Sequence, residues 1–175
     1  MEDGLRVVVA RGRLFDRLGV GAMLSVGAGE EEVRGMLGGE LSVAAVNGPR
    51  QVVVSGSAEA ITEMEKELEG AGIEYGRLHI DVAAHSRMVE GILDEYGEVM
   101  KEVEKEGPRI PIISNVTGGW MSEEEARSWE YWVKQLRGTV RFSEGVEEVR
   151  REKGRVMIEV GPGQTLSTLV RMGWG

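Results

Sequence analysis

The chain has 175 residues, 41% of them hydrophobic, and its 30 acidic and 21 basic side chains give a net charge of −9. This length allows one domain with a buried core, and the acidic balance disfavours binding to nucleic acid or anionic membranes, which requires clustered Lys and Arg. Cysteine is absent and only two histidines occur, so disulfides, thiolate nucleophiles and a metal site are not expected.

No apolar run in the sequence is long enough to span a membrane. The first residues, Met-Glu-Asp, also lack the basic and then apolar pattern of a signal peptide. Together with the absence of cysteine, these features predict a cytoplasmic protein that does not bind membranes.

Residues 2–18 have the spacing of an amphipathic helix, whose apolar stripe is formed by Val7, Val8, Leu14, Phe15 and Leu18. Arg11 lies in the middle of this stripe, whereas Arg6, Arg13 and Arg17 gather on the opposite face. An inward guanidinium needs a carboxylate, carbonyl groups or a bound anion, because desolvating it unpaired is costly. A stem that packs while the head reaches solvent is the structural alternative, so Arg11 is a candidate anion-binding residue.

Residues 21–80 are predicted to form a compact β-α-β-β-α-β unit. The predicted strands are 21–27, 41–46, 51–55 and 73–80. The first predicted helix is 30–37, and Ser57 caps the second, which precedes the last strand. Asn-Gly-Pro-Arg at 47–50 is the expected turn between two of the strands. This order is typical of the ferredoxin-like fold, in which two helices cover one face of an antiparallel sheet. Because that fold carries many functions, it identifies no activity.

Residues 81–86 form a small-residue turn, Asp-Val-Ala-Ala-His-Ser, that brings His85 to the start of a long helix. Ser86 is expected to cap this helix. A lone histidine is more often structural than catalytic, so His85 alone does not establish a site. Further along, the apolar segment 110–114 is predicted to be a buried strand and segment 156–160 a strand, with helices between and after them.

The strand and helix alternation outside 21–80 predicts a second architecture, part of a larger α/β body. We expect this body to be formed by residues 1–20 and 81–175, with the smaller unit 21–80 inserted between the two pieces. The predicted fold class is therefore α/β with an α+β insertion.

Several collinear segments resemble the acyltransferase domain of modular type I polyketide synthases and its relative, malonyl-CoA:acyl carrier protein transacylase. No single segment is specific for this family, whereas their joint order is. The matching segments are Ala10–Leu14, Gly21–Leu24, Val46–Pro49, Val53–Gly56, Asp81–Ser86, Ser114–Gly118, Tyr131–Val133, Leu136–Arg137, Val140–Phe142 and Glu159–Gly163.

The resemblance implies a hydrolase-like body that carries a serine nucleophile in a Gly-His-Ser-x-Gly elbow, over which the ferredoxin-like subdomain closes. His85 would then be the general base for that serine and for the pantetheine thiol of the carrier protein. Arg11 would bind the free carboxylate of a malonyl-type unit. The resemblance further implies that a backbone carbonyl at or near Arg141 orients the His85 ring, and that Asn47 lies in a loop near the cleft.

The chain departs from the family pattern in its nucleophile. No serine here has a glycine two positions before it and another two positions after it, so the serine elbow is absent from these 175 residues. Part of the oxyanion hole would be missing as well. We therefore expect a fragment that is inactive alone.

A second departure concerns the selectivity tetrad. Family members that favour malonyl often show His-Ala-Phe-His and those that favour methylmalonyl show Tyr-Ala-Ser-His, whereas this chain has Val82, Ala83, Ala84 and His85. The acyl unit is therefore left open. Thr139 also stands where the family usually has proline.

The function implied by the resemblance is transfer of malonyl-type units from CoA to the phosphopantetheine thiol of an acyl carrier protein. No bound cofactor is expected, and the expected partners are the carrier protein and other polyketide synthase domains. The alternative is a noncatalytic module that docks a carrier protein or a synthase domain. Since carrier proteins are usually acidic, that module would use a basic patch such as Arg6, Arg13 and Arg17.

Overall fold

The protein is described by a computed structural model over residues 2–174. Helices and strands follow one another along the chain in this order: α1 Glu2–Phe15, β1 Gly21–Val26, α2 Glu30–Met36, β2 Ser42–Gly48, β3 Gln51–Ser57, α3 Ala58–Ala71, β4 Tyr75–Leu78, a 3₁₀ helix Arg87–Ile92, α4 Leu93–Glu102, α5 Glu123–Arg127, α6 Trp129–Arg137, α7 Phe142–Arg150 and α8 Thr165–Trp174. Among these residues, no helix is both long and apolar enough to cross a bilayer.

The four strands of residues 21–80, called here the sheet unit, form one antiparallel sheet in the order β2-β3-β1-β4. Alternate side chains of each strand point to one face, where α2 and α3 pack. Ser57 begins α3 as predicted, because its hydroxyl accepts the Ala60 N–H, and Gly72 ends it in a left-handed conformation. The shared core contains Ala22, Leu24, Val26, Ala28, Val33, Val43, Val46, Val52, Val54, Ile61, Met64 and Leu68.

A second core forms where α1, the 3₁₀ helix, α4 and α6 pack together. Its buried members are Leu14, Val89, Ile92, Tyr96, Met100 and Leu136. Gly97 of α4 allows close packing of α6, because a Cβ at this position would lie 3.1 Å from the ring of Trp129. The helical spacing predicted for α4 and α6 therefore does place their apolar faces inside.

The two apolar segments predicted to be strands, 110–114 and 156–160, are not strands among the described residues. Ile113 forms an isolated bridge with Trp120, while Ile110 is 78% exposed. Ile158 and Val160 are 80% and 94% exposed. A strand needs a neighbour that accepts and donates its backbone hydrogen bonds, and no strand within 2–174 pairs with either segment.

Three other elements are shorter or more irregular than predicted. Helix α1 ends at Phe15 rather than at 18, and β4 covers Tyr75–Leu78 rather than 73–80, since β1 offers it only the partners Met23–Val26. The helix that follows Ser86 starts as a 3₁₀ helix and becomes α-helical at Leu93.

Residues 139–141 run beside β2 and join the sheet unit to the rest of the chain. The Val140 N–H donates to the Ala44 carbonyl (2.8 Å), and the Val46 N–H donates to the Val140 carbonyl (2.9 Å). Ala45 and Val140 form a parallel bridge. The outer edge of β2 is thereby covered by the segment between α6 and α7.

Candidate active site

The His85 turn is held in a left-handed conformation by its neighbours. His85 has φ 58°, which is uncommon for a residue with a side chain and marks a constrained backbone. The buried Ser86 hydroxyl donates to the Ala83 carbonyl (2.7 Å) and accepts the Met88 N–H (3.1 Å). Ser86 therefore caps the 3₁₀ helix, as predicted for a capping residue.

The half-buried imidazole of His85 is oriented by one backbone carbonyl. Its Nδ1 lies 2.9 Å from the carbonyl oxygen of Gly138. A carbonyl can only accept, so Nδ1 carries the proton in this arrangement, and Nε2 is left with a free lone pair. The ring can therefore accept a proton at Nε2.

Burial lowers the pKa of His85 below its ordinary value of 6.5. The backbone carbonyls of Gly138 and Gln135 act in the opposite direction, and the positive charge of Arg11 adds to the lowering. The net effect favours the neutral imidazole, which is the form that a general base requires.

The orienting carbonyl belongs to Gly138, at the end of α6 and three positions before Arg141, and not to Arg141 itself. The Arg141 carbonyl instead accepts the Gly145 N–H (3.1 Å), as the first turn of α7 requires. The signal that could have found Gly138 is a glycine directly after a helical pattern, where the backbone leaves the helix.

The Arg141 side chain has a structural task between α2 and α7. Its guanidinium is paired with Glu30 (2.7 Å) and with Glu144 (3.1 Å). Burial disfavours the Glu30 carboxylate, yet the hydrogen bonds and charges of Arg141 and Arg34 hold the pKa of Glu30 below its usual value. These ion pairs tie α2 of the sheet unit to α7.

Arg11 is exposed, so the expectation of an inward guanidinium is wrong for the described chain. Leu14 on the same stripe is buried, whereas the Arg11 head reaches solvent and lies 5.8 Å from the centre of the Phe15 ring. No carboxylate within residues 2–174 forms an ion pair with it, and a charge without a partner stays hydrated. Arg11 is still close enough to both His85 and Tyr96 for its charge to act on them. It adds to the lowering of the His85 pKa, and it partly opposes the burial that raises the pKa of Tyr96.

The three residues before His85 differ in accessibility. Ala83 is only 1% exposed and packs on Gly21, where a Cβ would come within 2.5 Å of the Ala83 Cβ. Val82 and Ala84 are half-buried. Only the outer two thus keep surface that a ligand could touch.

Asn47 lies in β2 rather than in a loop, and it is half-buried. The strand continues to Gly48, which pairs with Gln51, so Pro49 and Arg50 alone form the turn. Within the described part of the chain, no group of three His, Asp or Glu side chains could hold a metal ion.

The arrangement thus combines a neutral imidazole with a free Nε2 and an exposed cation that acts on it electrostatically. A family profile described as Acyl transferase domain matches residues 1–174. The chain belongs to the acyl transferase domain family. Its homologues are acyltransferase domains of polyketide synthases, as the resemblance predicted.

Two relatives show how much of an acyltransferase the chain represents. The spectinabilin polyketide synthase system protein NorB of Streptomyces orinoci is 41% identical over 175 residues, which make up 98% of this chain and 8% of NorB. The acyltransferase domain of SpnD, solved in complex with 2-(pent-4-yn-1-yl)malonyl, matches with a TM-score of 0.91 and 36% identity. That match covers 97% of this chain and 41% of the solved one.

The malonyl CoA-acyl carrier protein transacylase of Clostridium perfringens has the same fold, with a TM-score of 0.88 at 24% identity over 99% of this chain and 57% of that one. The chain thus spans less than two thirds of the length of each of these relatives.

Proposed function

We propose that this acyltransferase is the part of a polyketide synthase domain that supplies the general base and the carboxylate-binding cation for acyl transfer. The domain would move a malonyl-type unit from its CoA thioester to the pantetheine thiol of an acyl carrier protein. The observation that carries the proposal is the His85 ring, which is held through Nδ1 by Gly138 so that Nε2 can accept a proton.

In the first half-reaction, His85 Nε2 takes the proton of a serine hydroxyl while the serine oxygen attacks the thioester carbonyl. The imidazolium then gives this proton to the departing CoA thiolate, and an acyl-serine ester remains. In the second half-reaction, His85 takes the proton of the pantetheine thiol, whose sulfur attacks the ester, and returns it to the serine oxygen. Protons and acyl group balance, so no bound cofactor is required.

The serine would come from polypeptide outside these 175 residues, because no Gly-His-Ser-x-Gly motif occurs in them. A histidine base without its nucleophile cannot form the acyl-enzyme, so we propose that the chain alone is inactive. Ser86 does not substitute, since its hydroxyl is buried in two hydrogen bonds of the turn.

Arg11 would bind the free carboxylate of the acyl unit. Its exposed guanidinium has no carboxylate partner among residues 2–174, and a planar guanidinium matches a carboxylate with two parallel hydrogen bonds. The SpnD domain, which was solved with a substituted malonyl group, supports this substrate class by similarity.

Contact with the remainder of the acyl group would come from Val82 and Ala84, the accessible members of the tetrad. Ala83 would act indirectly, by setting how closely the turn approaches Gly21. Asn47 is proposed as a cleft residue because it belongs to β2, the strand beside the segment that follows Gly138.

In domain terms, we propose that residues 21–80 are a ferredoxin-like subdomain inserted into a partial hydrolase-like body of 1–20 and 81–175. The sheet order β2-β3-β1-β4 with both helices on one face supports the first part. An apolar hollow of about 420 Å³ between α7 and the exposed segments near Ile113 and Ile158 supports the second, because further strands would fill it.

The docking alternative has less support from the geometry. Two members of the basic patch are neutralised by α4, since Arg6 pairs with Glu102 and Arg17 pairs with Glu95 (2.6 Å). A patch that its own chain neutralises attracts an acidic carrier protein weakly.

The test joins an upstream segment that carries a Gly-His-Ser-x-Gly elbow to these 175 residues and measures labelling by radioactive malonyl-CoA. We expect an acyl-enzyme in the joined protein and no label on the 175-residue chain alone. His85→Ala should slow labelling by on the order of 10²–10⁴-fold, the usual contribution of a general base. An unchanged rate in His85→Ala, beside the matched control His79→Ala, would contradict the role of His85.

The carboxylate role is tested by the ratio of malonyl to acetyl transfer. Arg11→Ala should lower this ratio by roughly 10–100-fold, because a hydrogen-bonded charge pair contributes about 1.5–3 kcal/mol. Arg13→Ala removes another exposed arginine of α1 and should leave the ratio unchanged. Equal ratios in both variants would refute the assignment of Arg11.

A further inference from the structure

The carbonyl that orients His85 lies at the junction between α6 and β2. Gly138 ends α6, and its N–H donates to the Lys134 carbonyl (2.7 Å). Its own carbonyl faces His85 Nδ1 at 2.9 Å. Glycine has no side chain that could restrict rotation of this peptide plane, so the plane must be fixed by the residues that follow.

The peptide between Gly138 and Thr139 lacks a hydrogen bond on its other side. Within residues 2–174, the N–H of Thr139 donates to no backbone carbonyl. The next peptide is fixed, because the Val140 N–H donates to the Ala44 carbonyl at 2.8 Å. The peptide group between Gly138 and Thr139 therefore carries the orienting carbonyl, while its own orientation depends on the neighbouring residues.

The Thr139 side chain supplies a hydrogen bond at that position. Its hydroxyl donates to the Val43 carbonyl of β2 at 2.7 Å, in a half-buried environment. Thr139 and Val140 both bond to β2, and Thr139 is the one that directly follows Gly138 in the chain. A short hydroxyl–carbonyl bond shielded from water restricts the χ1 angle of threonine and with it the local backbone.

The shape of β2 makes this bond possible. Successive carbonyls of a regular strand point to opposite edges, so the carbonyls of Val43 and Ala44 would diverge. The register of β2 against β3 shifts between Val43 and Ala45, which marks a bulge. Both carbonyls consequently reach the same segment, one accepting from Thr139 and the other from Val140.

We propose that Thr139 is a positioning residue, whose hydroxyl bond to β2 fixes the peptide carbonyl of Gly138 that orients His85. The catalytic meaning of this role rests on the proposed function, since it presumes that His85 is the base. The structural part does not, because ring orientation can be measured without acyl transfer. Movement of the sheet unit would act on the imidazole through this bond.

The test is nitrogen-15 NMR of the histidine rings in the 175-residue chain, with His79→Gln used to assign the two sets of signals. Thr139→Val keeps the shape of the side chain and removes the hydroxyl. We expect the ratio of the Nδ1-protonated to the Nε2-protonated tautomer of His85 to fall roughly two- to tenfold, as the loss of one hydrogen bond predicts. Thr139→Ser retains the hydroxyl and should restore the original ratio.

Thr168→Val is the matched control, because the Thr168 hydroxyl also donates to a backbone carbonyl, that of Gln164 (2.7 Å), on the exposed helix α8. This variant should leave the His85 tautomer ratio unchanged. An unchanged ratio in Thr139→Val, or an equal fall in Thr168→Val, would overturn the proposal.

A measurement on the unsubstituted chain covers the case in which Thr139→Val does not fold. Three-bond couplings from Thr139 Cγ2 to the backbone nitrogen and carbonyl carbon should show a single χ1 rotamer. Averaged couplings would refute the proposal on their own. If Thr139→Val changes the tautomer ratio but the joined protein transfers no acyl group, the proposed function is refuted and the positioning role stands.

Discussion

The sheet unit and the residues that flank it, 2–20 and 81–174, differ in how completely their apolar side chains are buried. In the sheet unit, 60 consecutive residues supply every strand and both helices of a core in which Leu24, Val54 and Ile61 are fully buried. In the flanking residues, the helical core is buried, yet the apolar segments 110–112 and 156–160 remain exposed.

The proposed division into an inserted subdomain and part of an α/β body would explain the difference by how the two kinds of sheet are connected. Antiparallel strands pair with neighbours that are close in sequence, so a short stretch of chain can close its own sheet. Strands that alternate with helices pair across long crossovers, and their partners lie far away along the chain. A fragment of an α/β sheet with its helices can therefore keep the helices packed while its strands remain unpaired.

The strongest test of this contrast is a pair of truncations to alanine. Leu24→Ala removes a fully buried side chain of β1 and should lower the free energy of unfolding by about 2–5 kcal/mol. Ile158→Ala, at a residue that is 80% exposed, should change it by less than about 0.5 kcal/mol. Urea titration measures both. Comparable losses would mean that segment 156–160 is packed in solution.

A smaller effect is expected where the sheet unit meets the His85 turn. A Cβ at Gly21 would lie 2.5 Å from the Cβ and 2.6 Å from the backbone nitrogen of Ala83. Gly21→Ala should therefore destabilise the chain by about 1–3 kcal/mol through overpacking, and the His85 signals should shift. The control Gly35→Ala, in an open position of α2, should be neutral or stabilising by up to about 1 kcal/mol. Equal effects of the two variants would contradict the tight junction.

Variants of two helix caps test whether the sheet unit and the flanking residues unfold separately. Ser57→Ala in the sheet unit and Ser122→Ala in the flanking residues each remove a cap and should cost about 1 kcal/mol. Amide hydrogen exchange should accelerate in α3 for the first and in α5 for the second. Acceleration throughout the chain in either variant would show that both regions unfold as one unit.

The smallest effect is the pH dependence caused by His85. Because its pKa is lowered in the folded state, the unfolded chain binds the proton first as the pH falls below about 6.5. Stability should therefore decrease from that pH downward and level off once the folded His85 is also protonated. His85→Gln should remove this part of the pH dependence between pH 8 and 5.5. An unchanged slope in urea titrations would place the source elsewhere.

Local patterns predicted much of the fold because their causes lie within a few residues. The Ser57 cap, the helical spacing of Ile61, Met64 and Leu68, and the capping box at Ser122 all match the structure. Each depends on contacts within a few residues, so composition and spacing are sufficient to recognise it.

The remaining features depend on contacts between distant residues. The apolar run at 156–160 is as hydrophobic as a buried strand, but whether it pairs is decided by residues far away. The acceptor of the His85 proton is a backbone carbonyl 53 positions away, and a backbone group leaves no side-chain signature. Arg11 was recognised by its place on the helix, whereas its exposure depends on what surrounds α1.

The segment 139–141 beside β2 has one more consequence, for contacts between molecules. An uncovered edge strand offers a row of free N–H and C=O groups on which another chain can add a strand and begin to aggregate. Val140 occupies two of these groups, those of Ala44 and Val46. The hydroxyl of Thr139 occupies a third, so the residues placed next to the histidine carbonyl also shield the outer edge of β2 from intermolecular strand addition.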